Sequence, residues 1–165
     1  MNKKFVFPLK LIGTALIIGE VMPYFNGVVF TGGFWTALGA TMLISLFFLL
    51  LFMVVVIVGL LIFVRTSYAD PVARLRQWGF YRVLGAIMGG AFVIEVLAFK
   101  LTALCMSSFT VVGFAPAVFG ATLTFLLGIV LSLIAKEKLY TAEQYYAMLD
   151  EQEAKLAAKG KIEIK

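Results

Sequence analysis

Long uncharged stretches alternate along this chain with short polar or charged segments. About 20 apolar residues are enough for a helix to cross the hydrocarbon core of a bilayer. Four stretches meet that length and predict transmembrane helices at about residues 8–29, 34–64, 81–104 and 113–135. The second has no charge from Phe34 to Val64 and is about ten residues longer than a crossing needs, which predicts tilt or projection beyond the bilayer.

The first stretch is irregular. Glu20 lies inside it, and Pro23, Asn26 and Gly27 follow within one turn or two. Membrane helices tolerate such residues only where neighbours satisfy the freed backbone groups. The pattern therefore predicts a first helix that bends or ends early.

Two further helices are predicted outside the apolar stretches. Asp70 and Pro71 are suited to the N-cap and first position of a short amphipathic helix at the cytoplasmic interface, running into the third stretch. After the fourth stretch, apolar residues recur at helical spacing among charges. They predict a soluble helix over 141–159, with Thr141 as N-cap and Gly160 as its stop.

Composition supports this class of protein. Hydrophobic residues make up 62% of the chain and charged residues 14%, and the mean hydropathy is +1.03. Soluble domains are about 45–50% apolar and about 25% charged. We therefore expect an all-α integral membrane protein, with a four-helix transmembrane domain over residues 1–135 and a cytoplasmic amphipathic tail over 136–165.

The positions of the basic residues predict an orientation. They fall before the first stretch, between the second and third, and after the fourth, whereas the other two loops have no Lys or Arg. Basic loops remain in the cytoplasm, so both termini and the Arg-rich connector are predicted to be cytoplasmic. The basic residues concerned are Lys3, Lys4, Lys10, Arg65, Arg74, Arg76, Arg82, Lys136 and Lys138.

Several kinds of chemistry are disfavoured. The chain has no His and a single Cys, Cys105, which argues against the usual zinc and haem sites, a His-dependent triad and an internal disulfide. Paired Asp residues or a Ser–Lys pair suited to intramembrane hydrolysis are not recognisable either. We predict no catalytic residue, cofactor, metal or nucleic-acid partner, and expect the protein not to be an enzyme.

The two halves of the chain resemble each other in order. Ala15–Val21 is similar to Ala91–Val96, and further matches follow in the same sequence order. They pair Phe30-Thr31 with Phe109-Thr110, Gly33-Phe34 with Gly113-Phe114, and Gly39-Ala40-Thr41 with Gly120-Ala121-Thr122. Each half would form a hairpin that starts in the cytoplasm, giving a parallel repeat about an axis along the membrane normal. Chance matching of apolar, glycine-rich sequence is the alternative.

The start of the second helix in each hairpin carries a family resemblance. The residues are Gly33, Phe34, Trp35, Ala37, Leu38, Gly39 and Ala40, then Gly113, Phe114 and Ala117. Over about half its length the chain resembles the small four-helix bacterial membrane proteins of phage-holin superfamily IV. That family usually has Arg-Pro after the second span, whereas Thr66 follows Arg65 here. The resemblance implies a four-helix architecture in the bacterial inner membrane.

Two carboxylates lie within apolar stretches. Helical rise puts Glu20 about 15 Å beyond Lys10 and Glu95 about 20 Å beyond Arg82, near mid-bilayer. Acidic residues there face the protein interior and have a partner. One interpretation is a proton- or cation-linked site between the hairpins. The other is a neutral carboxyl that hydrogen-bonds Thr, Ser or backbone and serves assembly.

Lys100 lies about 27 Å past Arg82, near the outer interface. Its long side chain is suited to snorkelling towards the headgroups. The alternative is an ion pair with one of the two carboxylates, and the contact with Glu20 is geometrically easier than the contact with Glu95.

Small residues recur every four positions in three predicted helices, at Ala37, Thr41 and Ser45 in the second and at further positions in the third and fourth. Such spacing permits close helix packing within the bundle or, alternatively, self-association. Those further positions are Gly85, Gly89, Gly120, Thr124 and Gly128. In the connector, Arg74, Arg76 and Arg82 lie near Trp78, and they either bind anionic lipid headgroups or serve only as topology determinants.

Three functions remain open. The first is a non-enzymatic bundle in the bacterial inner membrane that assembles with itself or as an accessory subunit of a larger membrane complex. The second is a holin-like pore former, which the resemblance implies. The third is a small proton-coupled transporter that uses Glu20 and Glu95. The bilayer is the partner common to all three.

Overall fold

A computed structural model describes residues 6–66, 71–135 and 141–163 of the 165-residue chain. The described chain is mostly helical, as predicted. Its α-helices are α1 Val6–Leu16, α2 Phe34–Thr66, α3 Pro71–Trp78, α4 Phe80–Cys105, α5 Ala115–Ile134 and α6 Ala142–Glu163. Two short strands, β1 Val28–Phe30 and β2 Phe109–Val111, complete the fold.

Three of these helices are long and apolar enough to cross a membrane: Phe34–Ile62 within α2, α4 and α5. Exposed apolar residues of the kind that lipid covers lie along all three. Length and hydropathy therefore support a multi-pass membrane protein. The sequence predicted the positions of these three helices to within a few residues, because long apolar runs mark them directly.

The first apolar stretch breaks as its sequence predicts. The α-helix α1 ends at Leu16, and a π-helical turn, Ile17–Val21, follows it. A 3₁₀ turn, Met22–Tyr24, with Pro23 near its start, then gives way to extended backbone at Phe25. Proline lacks the N–H that a continuing helix needs, so the helical path ends here.

The connector forms α3, and Gly79 separates it from α4. Gly79 has a φ of +72°, in the left-handed region that residues other than glycine rarely adopt. The predicted interfacial helix is therefore present but does not run directly into α4. The proposed N-cap, Asp70, and the basic residues Lys3, Lys4, Lys136 and Lys138 lie outside the described residues.

The two strands pair antiparallel, which the sequence did not predict. Val28 lies opposite Val111, Val29 opposite Thr110, and Phe30 opposite Phe109. The Thr31 N–H extends the ladder by donating to the carbonyl oxygen of Ser108 at 2.8 Å. The loops that follow the first apolar stretch and α4 are therefore joined by backbone hydrogen bonds.

Helix α6 begins where the sequence places it. The Gln144 N–H donates to the Thr141 hydroxyl oxygen, and the Thr141 N–H donates to the Gln144 amide oxygen, each at 3.3 Å. This reciprocal capping box satisfies two backbone donors at the helix start. The predicted stop at Gly160 is wrong, because α6 continues to Glu163.

The chain divides into two compact units. The first comprises Met1–Val55 and Gly90–Glu137, and the second comprises Val56–Gly89 and Lys138–Lys165. The core of the first unit is formed by small and large side chains of α1, α2, α4 and α5, with Phe99 and Phe109 fully buried. The core of the second is a smaller cluster of Val72, Phe80, Tyr145 and Leu149.

Candidate functional site

Small residues bring α1 and α5 together in the first unit. A Cβ atom added to Gly13 would lie 2.7 Å from Leu127 Cδ2, and one added to Gly120 would lie 2.7 Å from Met22 Cε. Neither glycine has room for a larger side chain unless its neighbour moves. Gly120 therefore packs closely against Met22 and Phe99 in the first unit.

Glu95 lies beside this contact. Its side chain is only 8% exposed, and the Thr124 hydroxyl donates to its Oε1 atom at 2.5 Å. The same hydroxyl oxygen lies 3.1 Å from the carbonyl oxygens of Gly120 and Ala121. A hydroxyl has one hydrogen, so Thr124 serves one of these acceptors at a time. The bond links α4 to α5, and a threonine is one of the partners that the assembly interpretation of Glu95 names.

A cavity of about 520 Å³ opens beside Glu95. Residues of α1, α2, α4 and α5 line it, and most of the lining is apolar. Its polar residues are Lys10, Thr14, Thr41, Ser45 and Glu95. The volume lies within the range of about 300–1,000 Å³ that is typical of small-molecule pockets.

Lys10 is the member of this group that the sequence analysis treated only as a topology determinant. It lies inside α1, and its Nζ atom is 3.7 Å from a Cβ built on Gly128. Gly128 is one helical turn, or about 6 Å, along α5 from Thr124. The available signal was the spacing of Lys10 and Thr14, since residues four apart share one face of a helix.

Glu20 lies elsewhere. It is exposed on the π-helical turn and lines a separate cavity of about 50 Å³, together with Gly19, Phe30 and Gly33. The structure therefore places the two carboxylates in different cavities. The transporter hypothesis depends on coupling between Glu20 and Glu95. Among the described residues, no direct contact joins these two side chains.

Lys100 binds backbone carbonyl groups. Its Nζ atom donates to the carbonyl oxygens of Val111 at 2.8 Å and Gly113 at 3.0 Å, and it lies 5.7 Å from the ring centroid of Phe114. No ion pair between Lys100 and either carboxylate occurs in the described part of the chain. The lysine thus fastens the segment between β2 and α5 to α4.

Gly85 and Gly89 differ from Gly120. A Cβ atom built on Gly85 or Gly89 meets nothing within 4 Å beyond its own helical turn in the described chain. These two glycines lie four residues apart on α4 and leave its surface open. The packing role that the sequence predicted for them is therefore not filled by another described segment of the same chain.

The arginines of the connector have different environments. Arg74, Arg76 and Arg82 are all exposed, and Arg76 forms an ion pair with Asp150 of α6 and lies 3.5 Å from Glu153. Exposed ion pairs of this kind contribute about 0–1 kcal/mol. Arg76 therefore holds α6 against α3, and a lipid headgroup would have to compete with two carboxylates for it.

Tyr145 is the principal apolar anchor of α6 on α3. It is 6% exposed, and its hydroxyl donates to the carbonyl oxygen of Leu75 at 2.8 Å. Burial raises the pKa of the Tyr145 hydroxyl above its ordinary value, and the neighbouring Tyr146 adds to the rise. Neutral Tyr145 is thus the form that this contact favours.

Comparison with known proteins adds no further assignment. The chain matches no family model, and neither curated proteins nor solved structures show a significant match to it.

Proposed function

We propose that this chain is a small, non-enzymatic integral membrane protein that assembles with itself or as an accessory subunit of a larger membrane complex. The observation that carries the proposal is the apolar surface of α2. Only 6% of the residues in an apolar 18-residue window of this helix are buried. From Val54 to Ile62, every side chain is between 37% and 66% exposed, Gly59 excepted.

The length of this surface exceeds what a bilayer covers. The apolar part of α2, Phe34–Ile62, is 29 residues long and about 44 Å in length. At an average tilt of about 20° it leaves about 10 Å, or two turns, outside a hydrocarbon core of about 30 Å. Apolar side chains exposed to water there favour contact with another protein surface.

Helix α4 supplies a second open surface. Gly85 and Gly89 allow another helix to approach its backbone closely. Ile87 and Tyr81 on the same helix are 58% and 80% exposed. Close approach at the glycines and apolar side chains around them are what an association between helices in a membrane requires.

We further propose that the chain has four spans, of which the first is interrupted. Its α1, π-helical and 3₁₀ segments together cover residues 6–24, about the length of one crossing. Ala15, Ile18 and Met22 of this segment are buried, as residues of a packed helix would be. The segment packs on α5 at Gly13, and its only charged residues are Lys10 and Glu20, which fits a fourth crossing.

The strand pair supports the proposed parallel repeat. Phe30 and Phe109, which the repeat treats as equivalent, lie directly opposite each other. In the repeat, Thr31 is equivalent to Thr110, and Val29 is equivalent to Ser108. The hydrogen bond between Thr31 and Ser108 therefore corresponds, about a local two-fold axis, to the pairing of Thr110 with Val29. An antiparallel pair of equivalent strands is the arrangement expected around a two-fold axis along the membrane normal.

The proposed orientation in a bacterial inner membrane has cytoplasmic termini and can be tested with the native cysteine. Cys105 is exposed at the end of α4 that this orientation places outside. A membrane-impermeant maleimide should label it in intact spheroplasts. Arg74→Cys, in a Cys105→Ser background, should be labelled only after permeabilisation. The reverse labelling pattern would overturn the orientation.

Assembly is tested by the mass of the full chain in mild detergent and by crosslinking in native membranes. Gly85→Ile combined with Gly89→Ile fills the open face of α4 and should release monomers. Gly39→Ile is the matched control, because a Cβ on Gly39 also meets nothing within 4 Å beyond its own turn. It should leave assembly unchanged.

The outcomes separate the two forms of the proposal. Crosslinks between copies support self-association, and crosslinks only to another membrane protein support an accessory subunit. A monomer in detergent that also forms no crosslink in native membranes would overturn both forms.

A further inference from the structure

The cavity beside Glu95 has features of a binding site that assembly does not explain. It lies between α1, α2, α4 and α5 of the first unit, and exposed residues at its edge, such as Ser45 and Leu49, open it to the side of the bundle. In a membrane-spanning bundle this side faces lipid. A molecule dissolved in the bilayer can therefore reach the cavity without passing through water.

Some hydrogen-bond donors in the cavity already donate to groups of the protein, and others do not. The hydroxyls of Thr41 and Ser45 donate to the carbonyl oxygens of Ala37 and Thr41, at 3.0 and 2.9 Å. The Thr124 hydroxyl donates to Glu95. These three are occupied and add no free donor to the cavity.

Thr14 and Lys10 differ from those three. Thr14 is 5% exposed and lines the cavity, yet its hydroxyl makes no hydrogen bond within the described chain. The Lys10 ammonium likewise has no hydrogen bond or ion pair there. Lys10 is exposed, and no buried side-chain N or O atom of the described chain lacks a hydrogen-bond partner. Both donors are therefore open to the cavity, and two open donors on one face of α1 fit an acceptor that a ligand supplies.

The charge of the lining restricts the ligand. Lys10 and Glu95 line the same cavity, and their side chains ionise with opposite sign. A cationic ligand would meet Lys10, and an anionic ligand would meet Glu95, in a medium where such repulsion is poorly screened. A zwitterion would have to lose its hydration to enter from the bilayer. An uncharged molecule avoids all three costs.

We propose that this cavity binds an uncharged, membrane-dissolved molecule with an apolar body and a carbonyl head, the chemistry of an isoprenoid quinone. The carbonyl oxygen accepts from the Lys10 ammonium and the Thr14 hydroxyl. The body lies against the apolar residues Ile44, Phe48 and Phe125. Glu95, held by Thr124, balances the charge of Lys10 so that the head remains neutral.

Binding is tested with the full chain in lipid nanodiscs by equilibrium dialysis of a quinone that carries two isoprene units. The wild-type protein should retain the quinone and should not retain an isoprenoid hydrocarbon of equal length. Lys10→Met should weaken quinone binding about tenfold, because a hydrogen bond from a charged donor is lost. Thr14→Val, which keeps the side-chain shape, should weaken it several-fold.

Matched controls lie outside the cavity. Lys100→Met removes a lysine charge from α4, outside the cavity, and Thr122→Val removes a hydroxyl that donates to its own helix at Val118. Both should bind the quinone like the wild-type protein. Thr14→Val keeps the test decisive if Lys10→Met fails to fold, since it preserves volume at a buried position.

Three results would overturn the proposal. Equal retention of the quinone and the hydrocarbon would show that the cavity takes acyl chains. Tighter binding of the corresponding isoprenoid alcohol would show that the head is a donor. Unchanged quinone binding in a folded Lys10→Met or Thr14→Val protein would show that the free donors of α1 take no part.

Discussion

Thr124 and Glu95 are joined across the α4–α5 interface by a side-chain hydrogen bond of 2.5 Å. Thr124→Val removes the donor while keeping the shape of the side chain. We expect the free energy of unfolding to fall by about 1–2 kcal/mol, because a buried carboxyl loses its hydrogen-bond partner. Denaturant titration in mixed micelles measures this change.

Thr122→Val is the control for that experiment, because the Thr122 hydroxyl bonds only within its own helix, to Val118. Its effect should remain within about 0.5 kcal/mol. Equal effects of the two valine substitutions would contradict a specific role of the Glu95–Thr124 bond in stability.

Gly120 should be far less tolerant of substitution than Gly39. A side chain at Gly120 meets Met22 Cε at 2.7 Å and Phe99 Cε1 at 3.0 Å, whereas one at Gly39 meets nothing within 4 Å beyond its own turn. Gly120→Leu should lower the free energy of unfolding by about 1–3 kcal/mol through overpacking. Gly39→Leu, measured in the same micelles, should change it little, and a loss as large as that of Gly120→Leu would refute the packing argument.

The strand register predicts a specific disulfide. With Cys105→Ser as background, Val29→Cys and Thr110→Cys place two cysteines directly opposite each other. Opposed residues in such pairs have Cα atoms about 4.5–5.5 Å apart, which suits a disulfide. Non-reducing electrophoresis after mild oxidation should show the crosslinked monomer.

The register control moves one cysteine by two residues. Val29→Cys with Val112→Cys keeps both cysteines on the same face of the strand pair but separates them by about 7–8 Å. It should oxidise much more slowly. Faster oxidation of this second pair would mean that the register differs from that in the structure.

Alkaline pH should release α6 from α3. In the folded protein the pKa of Tyr145 is raised by burial above its ordinary value of 10.0, so the folded state retains the proton longer than the unfolded state does. The stabilisation is complete below pH 10 and is lost as the pH rises through the folded pKa. Limited proteolysis of the tail between pH 8 and pH 11.5 should show faster cleavage at the alkaline end.

Tyr145→Phe separates this cause from a general effect of alkali. This variant loses the hydrogen bond to the Leu75 carbonyl, which lowers the stability of the contact between α6 and α3 by about 0.5–1.5 kcal/mol. Cleavage should therefore be somewhat faster at pH 8. The additional acceleration above pH 10 should then be absent. An unchanged alkaline acceleration in Tyr145→Phe would assign the effect to another group.

The features that the sequence predicted are those with local causes. Long apolar runs mark α2, α4 and α5, Pro71 marks the start of α3, and Thr141 with Gln144 marks the start of α6. Gly160 was expected to end α6 because glycine disfavours helix. Its cost relative to alanine is only about 1 kcal/mol, which the helix formers around it outweigh.

The features that the sequence did not predict depend on distant partners. Val28-Val29-Phe30 has residues suited to a strand, but so short a segment is a strand only if its partner is present. Lys10 becomes a cavity residue only through the packing of α1 on α5 beside Gly128. Local spacing puts Lys10 and Thr14 on one face of α1 but does not identify the segment that packs against it.

The pairing of Phe30 with Phe109 also sets the order in which the protein matures. These residues are nearly eighty positions apart, and α2, α3 and α4 are synthesised between them. While the ribosome is still making α4, β1 has no partner for its backbone groups. The first half can therefore form before the fold is complete, and completion must wait for the second half to supply β2. A fragment that ends after α2 would remain an unfinished intermediate rather than half of a working protein.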